Sequence, residues 1–121
     1  YYMLKIIKVQ KKGTENDEYI LLQAEAELNL KDYAVVDRTY GKDGKVSNIH
    51  RHFFRFTSHI LKKGDHVALF TKKGTDTEGK LKDKSYCRFV YWNFDKPVLN
   101  DSQIESIEVL KVSTVNTKKV V

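Results

Sequence analysis

Short runs of β-branched and aromatic residues, separated by glycines and charged turns, are the feature that most constrains this fold. Proline occurs once, at Pro97, and the six glycines fall between the apolar runs. Val, Ile, Tyr, Phe and Thr favour extended backbone, whereas Gly and Asp accept the left-handed angles of tight turns. The pattern predicts seven strands: Met3–Gln10, Glu18–Ala24, Tyr33–Tyr40, His50–Thr57, His66–Thr71, Tyr86–Asn93 and Gln103–Val112.

Alternation along these runs indicates how the strands are buried. In the sixth run Phe89 and Tyr91 oppose Val90 and Trp92, so neither face is polar. We therefore expect this run to be central in a sheet, with one face on the core and the other covered by a loop or a partner. A helix competes with the strand pattern only at Ala24–Leu30, which spans about two turns and is too short to be stable alone.

Composition places the chain among small globular domains. The 121 residues fit one domain, with a core from about residue 4 to 112 and a loose tail over 116–121. The hydrophobic fraction is 40% and the charged fraction 31%, which does not suit a disordered chain. The one cysteine excludes an intramolecular disulfide, and no apolar run has the length of a membrane span. Seven short strands in one domain predict an all-β, immunoglobulin-like sandwich.

Several motifs follow one another in a distinctive order between about Leu4 and Leu110. They are EYILL (18–22), LNLKDYAVVD (28–37), FFRF (53–56), LKKGDHVALFTKKGT (61–75), YW (91–92) with VLND (98–101), and IESIEVL (104–110). This order resembles that of the lamin tail domain family, and of its bacterial members in particular.

The resemblance implies an immunoglobulin-like β-sandwich and a non-enzymatic module. Members of the family bind proteins or DNA, or accompany secreted or membrane-linked enzymes, and they share no catalytic residues. This chain departs from the family at Asp32-Tyr33, where Gly-Trp is usual, and at Lys63, where proline is usual. Its loop Lys72–Lys84 is also rich in lysine. These departures weaken the transfer of any binding surface from the family.

Lysines around the fifth predicted strand are the candidates for binding a polyanion such as DNA. The net charge is +6, with 22 Lys and Arg against 16 Asp and Glu. Basic loops attract phosphate backbones, and neighbouring aromatic rings can stack on bases. Interleaved acidic residues dilute this field, and such a mixture is also typical of a merely well-solvated surface. The candidate residues are Lys62, Lys63, Lys72, Lys73, Lys80, Lys82 and Lys84, and the interleaved acids are Asp65, Asp76, Glu78 and Asp83.

Trp92 and Phe94 are the candidates for a protein contact. Trp92 fills the core in one interpretation, because its N–H can be satisfied at a sandwich edge. In the other interpretation Trp92 and Phe94 form an exposed patch, and exposed aromatic patches mark protein partners.

A metal-dependent or cysteine hydrolase is the third and weakest hypothesis. His50 and His52 share a face of a predicted strand, which is a ligand-like arrangement. His59, His66 and Cys87 have no ligand spacing with that pair, and nothing in the sequence places a base beside the thiol. We therefore expect no catalytic, cofactor or metal site. The leading hypothesis is a non-catalytic lamin-tail-like module that binds another protein, followed by a DNA- or polyanion-binding accessory domain.

Overall fold

A computed structural model describes residues 3–10, 18–40, 46–94 and 105–121 of the chain. Side chains are described for all of these except residues 38–40, 46–51 and 105. Within the described part, no helix has the length and apolar character needed to cross a membrane.

The described residues form an all-β structure in which the seven predicted strands are present. Their ends differ from the prediction by a few residues, and three short strands that were not predicted, β3, β6 and β8, join them. The strands are β1 (Leu4–Gln10), β2 (Tyr19–Ala24), β3 (Leu28–Asn29), β4 (Tyr33–Tyr40), β5 (Val46–Arg55), β6 (Ile60–Leu61), β7 (His66–Phe70), β8 (Thr77–Lys80), β9 (Tyr86–Tyr91) and β10 (Glu105–Lys111), with one 3-10 turn at Leu30–Asp32.

Two larger sheets and one small one are built from these strands. The five-stranded sheet has the order β1-β2-β7-β9-β8, the three-stranded sheet has the order β10-β4-β5, and β3 pairs with β6. All neighbouring strands are antiparallel except β7 and β9, which are parallel, with His66 opposite Cys87 and Phe70 opposite Tyr91. The sixth predicted strand, β9, is flanked by β7 and β8, which confirms its expected central position.

One hydrophobic core joins the inner faces of the two larger sheets. Ile20, Leu22 and Leu69 of the five-stranded sheet are fully buried, as is Val35 on β4. Val109 on β10 packs against them from the three-stranded sheet. Because alternate residues of a strand face opposite ways, the neighbours of these residues point outward. The two sheets therefore bury one shared interior.

The prediction of a loop over Lys72–Lys84 is wrong in part, because Thr77–Lys80 forms strand β8. This strand has no apolar residue, so no hydrophobic pattern marks it. Among the strands that the structure describes, it lies at the edge of the sheet and pairs only with β9. The fourth predicted strand also begins earlier than expected, at Val46 rather than His50. Ala24–Leu30 contains no α-helix and instead enters strand β3.

Two buried carboxylates among the described residues are hydrogen-bonded. Glu18 is buried and accepts a hydrogen bond of 2.8 Å from the Thr71 hydroxyl. Asp37, also buried, accepts from the His52 backbone N–H at 2.7 Å and contacts His52 Nδ1 at 2.9 Å. Such pairing is required because an unsatisfied buried polar group costs about 1–3 kcal/mol.

Candidate functional site

Two lysine-bearing turns lie side by side at one end of the five-stranded sheet. The first, 62–65, leads into β7, and the second, 81–85, leads into β9. Because β7 and β9 are parallel and in register, the turns that precede them meet at the same end. We call this surface the lysine end; its basic residues are Lys62, Lys63, Lys80, Lys82 and Lys84, all exposed.

The acidic residues of these two turns are used to build them. Asp65 Oδ2 accepts from the Lys62 backbone N–H at 2.9 Å. Asp83 Oδ1 accepts from the backbone N–H of Ser85 at 2.9 Å and from its hydroxyl at 2.5 Å. The bond from the Ser85 N–H to Asp83, two residues earlier, is that of an Asx turn. Among the described residues, no lysine of the lysine end forms an ion pair with a carboxylate.

Lys84 adopts a backbone conformation that lysine rarely takes. Its φ is 70°, and its N–H donates to the Leu81 carbonyl at 2.8 Å. For a residue with a Cβ atom, this left-handed region costs about 1–2 kcal/mol. Gly64 in the neighbouring turn also has a positive φ, of 93°, but glycine meets no such cost.

The predicted lysine group is divided by the structure. Lys72 and Lys73 follow β7 and therefore lie at the opposite end of that strand from Lys62 and Lys63. The Lys72 ammonium lies 5.6 Å from the centre of the Phe70 ring. The two lysine pairs that flank β7 therefore do not meet, whereas Lys82 and Lys84 join the first pair.

A polar network connects the turn 81–85 to His66 of β7. The Ser85 hydroxyl donates to Asp83, so its oxygen is left to accept from Nδ1 of the buried His66, 3.2 Å away. The hydrogen bonds from Ser85 hold the pKa of the Asp83 carboxyl below its usual value. This carboxylate is therefore ionised across the physiological range, and the turn keeps its shape there.

A second network lies at the start of β9. The Tyr86 hydroxyl donates to Glu78 Oε2 and lies 3.0 Å from Nε2 of His59, whose ring stacks on the Tyr86 ring. Burial, followed by the bond to Glu78, raises the pKa of Tyr86 to about 12. The phenol is therefore neutral, and its hydroxyl links Glu78 of β8 to the loop that carries His59.

Trp92 and Phe94 are partly buried and pack against the core. Their ring centres are 5.2 Å apart, and the His52 ring is nearly perpendicular to both, with its centre 6.4 Å from that of Trp92 and 5.3 Å from that of Phe94. The rings fill the space between the sheets beside the Asp37–His52 pair. A protein contact through these two residues stays a prediction.

Of the residues of the hydrolase hypothesis, the structure brings His66 and Cys87 together as register partners on β7 and β9, whereas His52 lies on β5 of the other sheet. The His50 side chain lies outside the described part. His52 is held by Asp37, whereas Cys87 is on the outward side of β9 and fully buried. Burial raises the pKa of the Cys87 thiol to about 11, which makes it a poor nucleophile at neutral pH. Among the described residues, no three His, Cys, Asp or Glu side chains are grouped to hold a metal ion.

Sequence reasoning missed the parts that shape the lysine end. Ser85, His66 and Tyr86 were not assigned to it, and the parallel pairing that brings its two turns together has no local signal. The spacing of Asp83 and Ser85 is a turn signature that identifies the second turn in retrospect. Nothing in the sequence predicts the left-handed backbone of Lys84.

Comparisons of the chain with models of protein families, with curated proteins and with solved structures found no match.

Proposed function

We propose that this domain is a non-catalytic binding module of the lamin tail kind, with an immunoglobulin-like sandwich, and that it binds a polyanion. The order of motifs that resembles lamin tail domains supports the family. The shared core of the two larger sheets supports the sandwich. The inert, buried Cys87 thiol supports a role without catalysis.

One observation carries the choice of partner: the two lysine turns converge at one end of the sheet. Interleaved Asp65 and Asp83 were expected to dilute the field. They stay charged and accept hydrogen bonds from their own turns, but the two turns carry four exposed lysines, Lys62, Lys63, Lys82 and Lys84, against these two carboxylates. Four flexible ammonium groups on adjacent turns match a row of phosphate or sulfate groups. This favours a polyanion over a protein contact at Trp92 and Phe94, which pack against the core.

The strained backbone of Lys84 supports the same proposal. A φ of 70° costs free energy that a glycine or asparagine would largely avoid. Strain of this kind persists where the side chain or the turn shape is needed for binding. We infer that lysine occupies this position because its charge is used there.

The experiment is a salt titration of binding to labelled duplex DNA and to heparin. The logarithm of the affinity should fall with the logarithm of the salt concentration, with a slope of about −0.9 per neutralised phosphate. The double variant Lys62→Ala, Lys63→Ala should bind more weakly and reduce the slope by about 1–2.

The matched control is Lys118→Ala, Lys119→Ala, which removes the same charge from the exposed segment after β10. It should change affinity little. Equal losses in the two double variants would show that only net charge matters, and no binding at about 20 mM salt would exclude the proposal.

A further inference from the structure

The outer face of the five-stranded sheet carries a stripe of aromatic rings. Ile20, Leu69 and Val90 point into the core, so their neighbours in β2, β7 and β9 point away from it. The outward rings are those of Tyr19, Phe70, Phe89 and Tyr91, each partly exposed. We call this set the aromatic stripe. Its residues do not belong to the shared core.

The rings form one connected apolar surface across three neighbouring strands. Phe70 is at the centre, with its ring 5.4 Å from Tyr19, 5.3 Å from Tyr91 and 6.3 Å from Phe89. Phe70 and Tyr91 are nearly parallel, at 17°. Gly74 touches the Tyr91 ring so closely that no Cβ atom fits there. Tyr19, Phe70 and Phe89 are therefore the rings best placed to take a ligand.

Positive charge borders the aromatic stripe. The Lys8 ammonium lies 5.8 Å from the centre of the Tyr19 ring, and that of Lys72 lies 5.6 Å from the Phe70 ring. The lysine end lies at the start of β7 and β9, whereas Phe70 and Tyr91 end those strands, so the stripe is bordered by Lys8 and Lys72 and lies at the opposite end of the strands from the lysine end. No outward position of β2, β7 or β9 carries a carboxylate. The face is apolar at its centre, with Lys8 and Lys72 beside the rings of Tyr19 and Phe70, and with the Asp76 carboxylate beside Tyr91, whose backbone N–H donates to it at 3.1 Å.

We propose that this face binds single-stranded nucleic acid, with unpaired bases stacked on the aromatic stripe and phosphates bound by the bordering lysines. The inference rests on the proposed polyanion function and narrows it to one ligand class. Bases of a single strand are free to stack on exposed rings, whereas those of a duplex are already stacked on one another. A sulfated polysaccharide has no flat base that could stack on the aromatic stripe. Binding of such a ligand by charge alone would therefore not use the aromatic rings.

The test compares an oligothymidylate of about 15 nucleotides with a duplex of equal charge and with heparin, at one salt concentration. The oligothymidylate should bind most tightly. Phe89→Leu keeps an apolar side chain but removes the ring, and should weaken oligothymidylate binding about 5- to 100-fold while leaving heparin binding unchanged. The matched control is Phe53→Leu, because Phe53 is a more exposed ring on strand β5 of the other sheet.

The outcomes separate the two proposals. If Phe89→Leu behaves like Phe53→Leu, or if duplex and heparin bind as tightly as the oligothymidylate, the stacking inference is wrong while polyanion binding stands. If no polyanion binds at low salt, both are wrong. In case Phe89→Leu does not fold, the wild-type protein is titrated with oligothymidylate by NMR. Ring-proton shifts at Tyr19, Phe70 and Phe89 are expected, and their absence overturns the inference.

Discussion

Lys84 shows how much a single residue of the lysine end is constrained. Its side chain is exposed, yet its backbone is in the left-handed region, with φ of 70°. The sequence around it, Lys82-Asp83-Lys84-Ser85, predicts a charged turn but not which residue takes the strained conformation. Only the bonds that close the turn, from Lys84 N–H to Leu81 and from Leu81 N–H to Ser85, decide it.

Replacing Lys84 with glycine should therefore stabilise the domain. Relief of the left-handed strain raises the free energy of unfolding by about 1–2 kcal/mol. The greater conformational freedom that glycine gives the unfolded chain lowers it by about 0.5–1 kcal/mol. We expect Lys84→Gly to raise the free energy of unfolding by about 0.5 kcal/mol in urea titrations.

Lys82→Gly is the control, because Lys82 has no positive φ. It should lower the free energy of unfolding by about 0.5–1 kcal/mol. Equal effects of the two glycines would contradict the strain argument. If lysine is retained for binding, Lys84→Gly should also weaken polyanion binding while it stabilises the fold.

Among the elements, strand β2 shows most plainly how alternation separates a buried face from an outward face. It lies between β1 and β7, and its residues alternate strictly between buried and partly exposed. Leu22 is fully buried in the core, whereas Leu21 faces outward beside Ala68 of β7. Alternation of this kind fixes which face is buried, because a shift of one residue would turn every side chain to the other side.

Two leucine truncations in β2 test this assignment. Leu22→Ala leaves a cavity in the core and should lower the free energy of unfolding by about 3 kcal/mol. Leu21→Ala removes the same atoms from a partly exposed site and should cost about 1 kcal/mol. Urea unfolding measures both. Similar losses in the two variants would show that the outward face of β2 is as buried as the inner face. That result would also contradict the accessible surface on which the aromatic stripe depends.

Strand β8 marks the limit of pattern reasoning at this scale. Thr77–Lys80 has no apolar residue, and its place in the sheet comes from pairing with β9 and from the Tyr86–Glu78 bond. Backbone pairing is available to any sequence that a neighbouring strand edge can reach. Whether such a polar segment forms an edge strand therefore depends on the neighbouring strand, and its own residues do not predict it.

For the whole molecule, the stability of the fold should fall in alkaline solution. Burial raises the pKa of Cys87 from 9.0 to about 11, and burial with the Glu78 bond raises that of Tyr86 from 10.0 to about 12. The unfolded chain releases both protons at lower pH than the folded chain. The stabilisation is therefore fully present below about pH 9 and is lost progressively between about pH 9 and 12.

Urea midpoints at about pH 8 and about pH 10.5 measure this loss. The double variant Cys87→Ala, Tyr86→Phe has neither proton to release, so its midpoint should fall less over the same interval. A variant that loses as much as the wild type would assign the alkaline sensitivity to other groups, such as the many lysines.

The sequence by itself determined the class of fold and the position of the seven main strands. Glycine and charged turns interrupt β-prone runs, and alternation within those runs selects the buried face; both are local properties of the chain. The lysines were also visible as candidates for binding a polyanion, and Trp92 and Phe94 as candidates for a protein contact.

Only the tertiary structure decided which of these residues act together. The parallel pairing of β7 with β9 joins Lys62 and Lys63 to Lys82 and Lys84, and separates Lys72 and Lys73 from them. It also aligns Phe70 with Tyr91 across the sheet, whereas Trp92 points into the core. The physical reason is that strand order and direction depend on packing between segments distant in the chain, which no local pattern records.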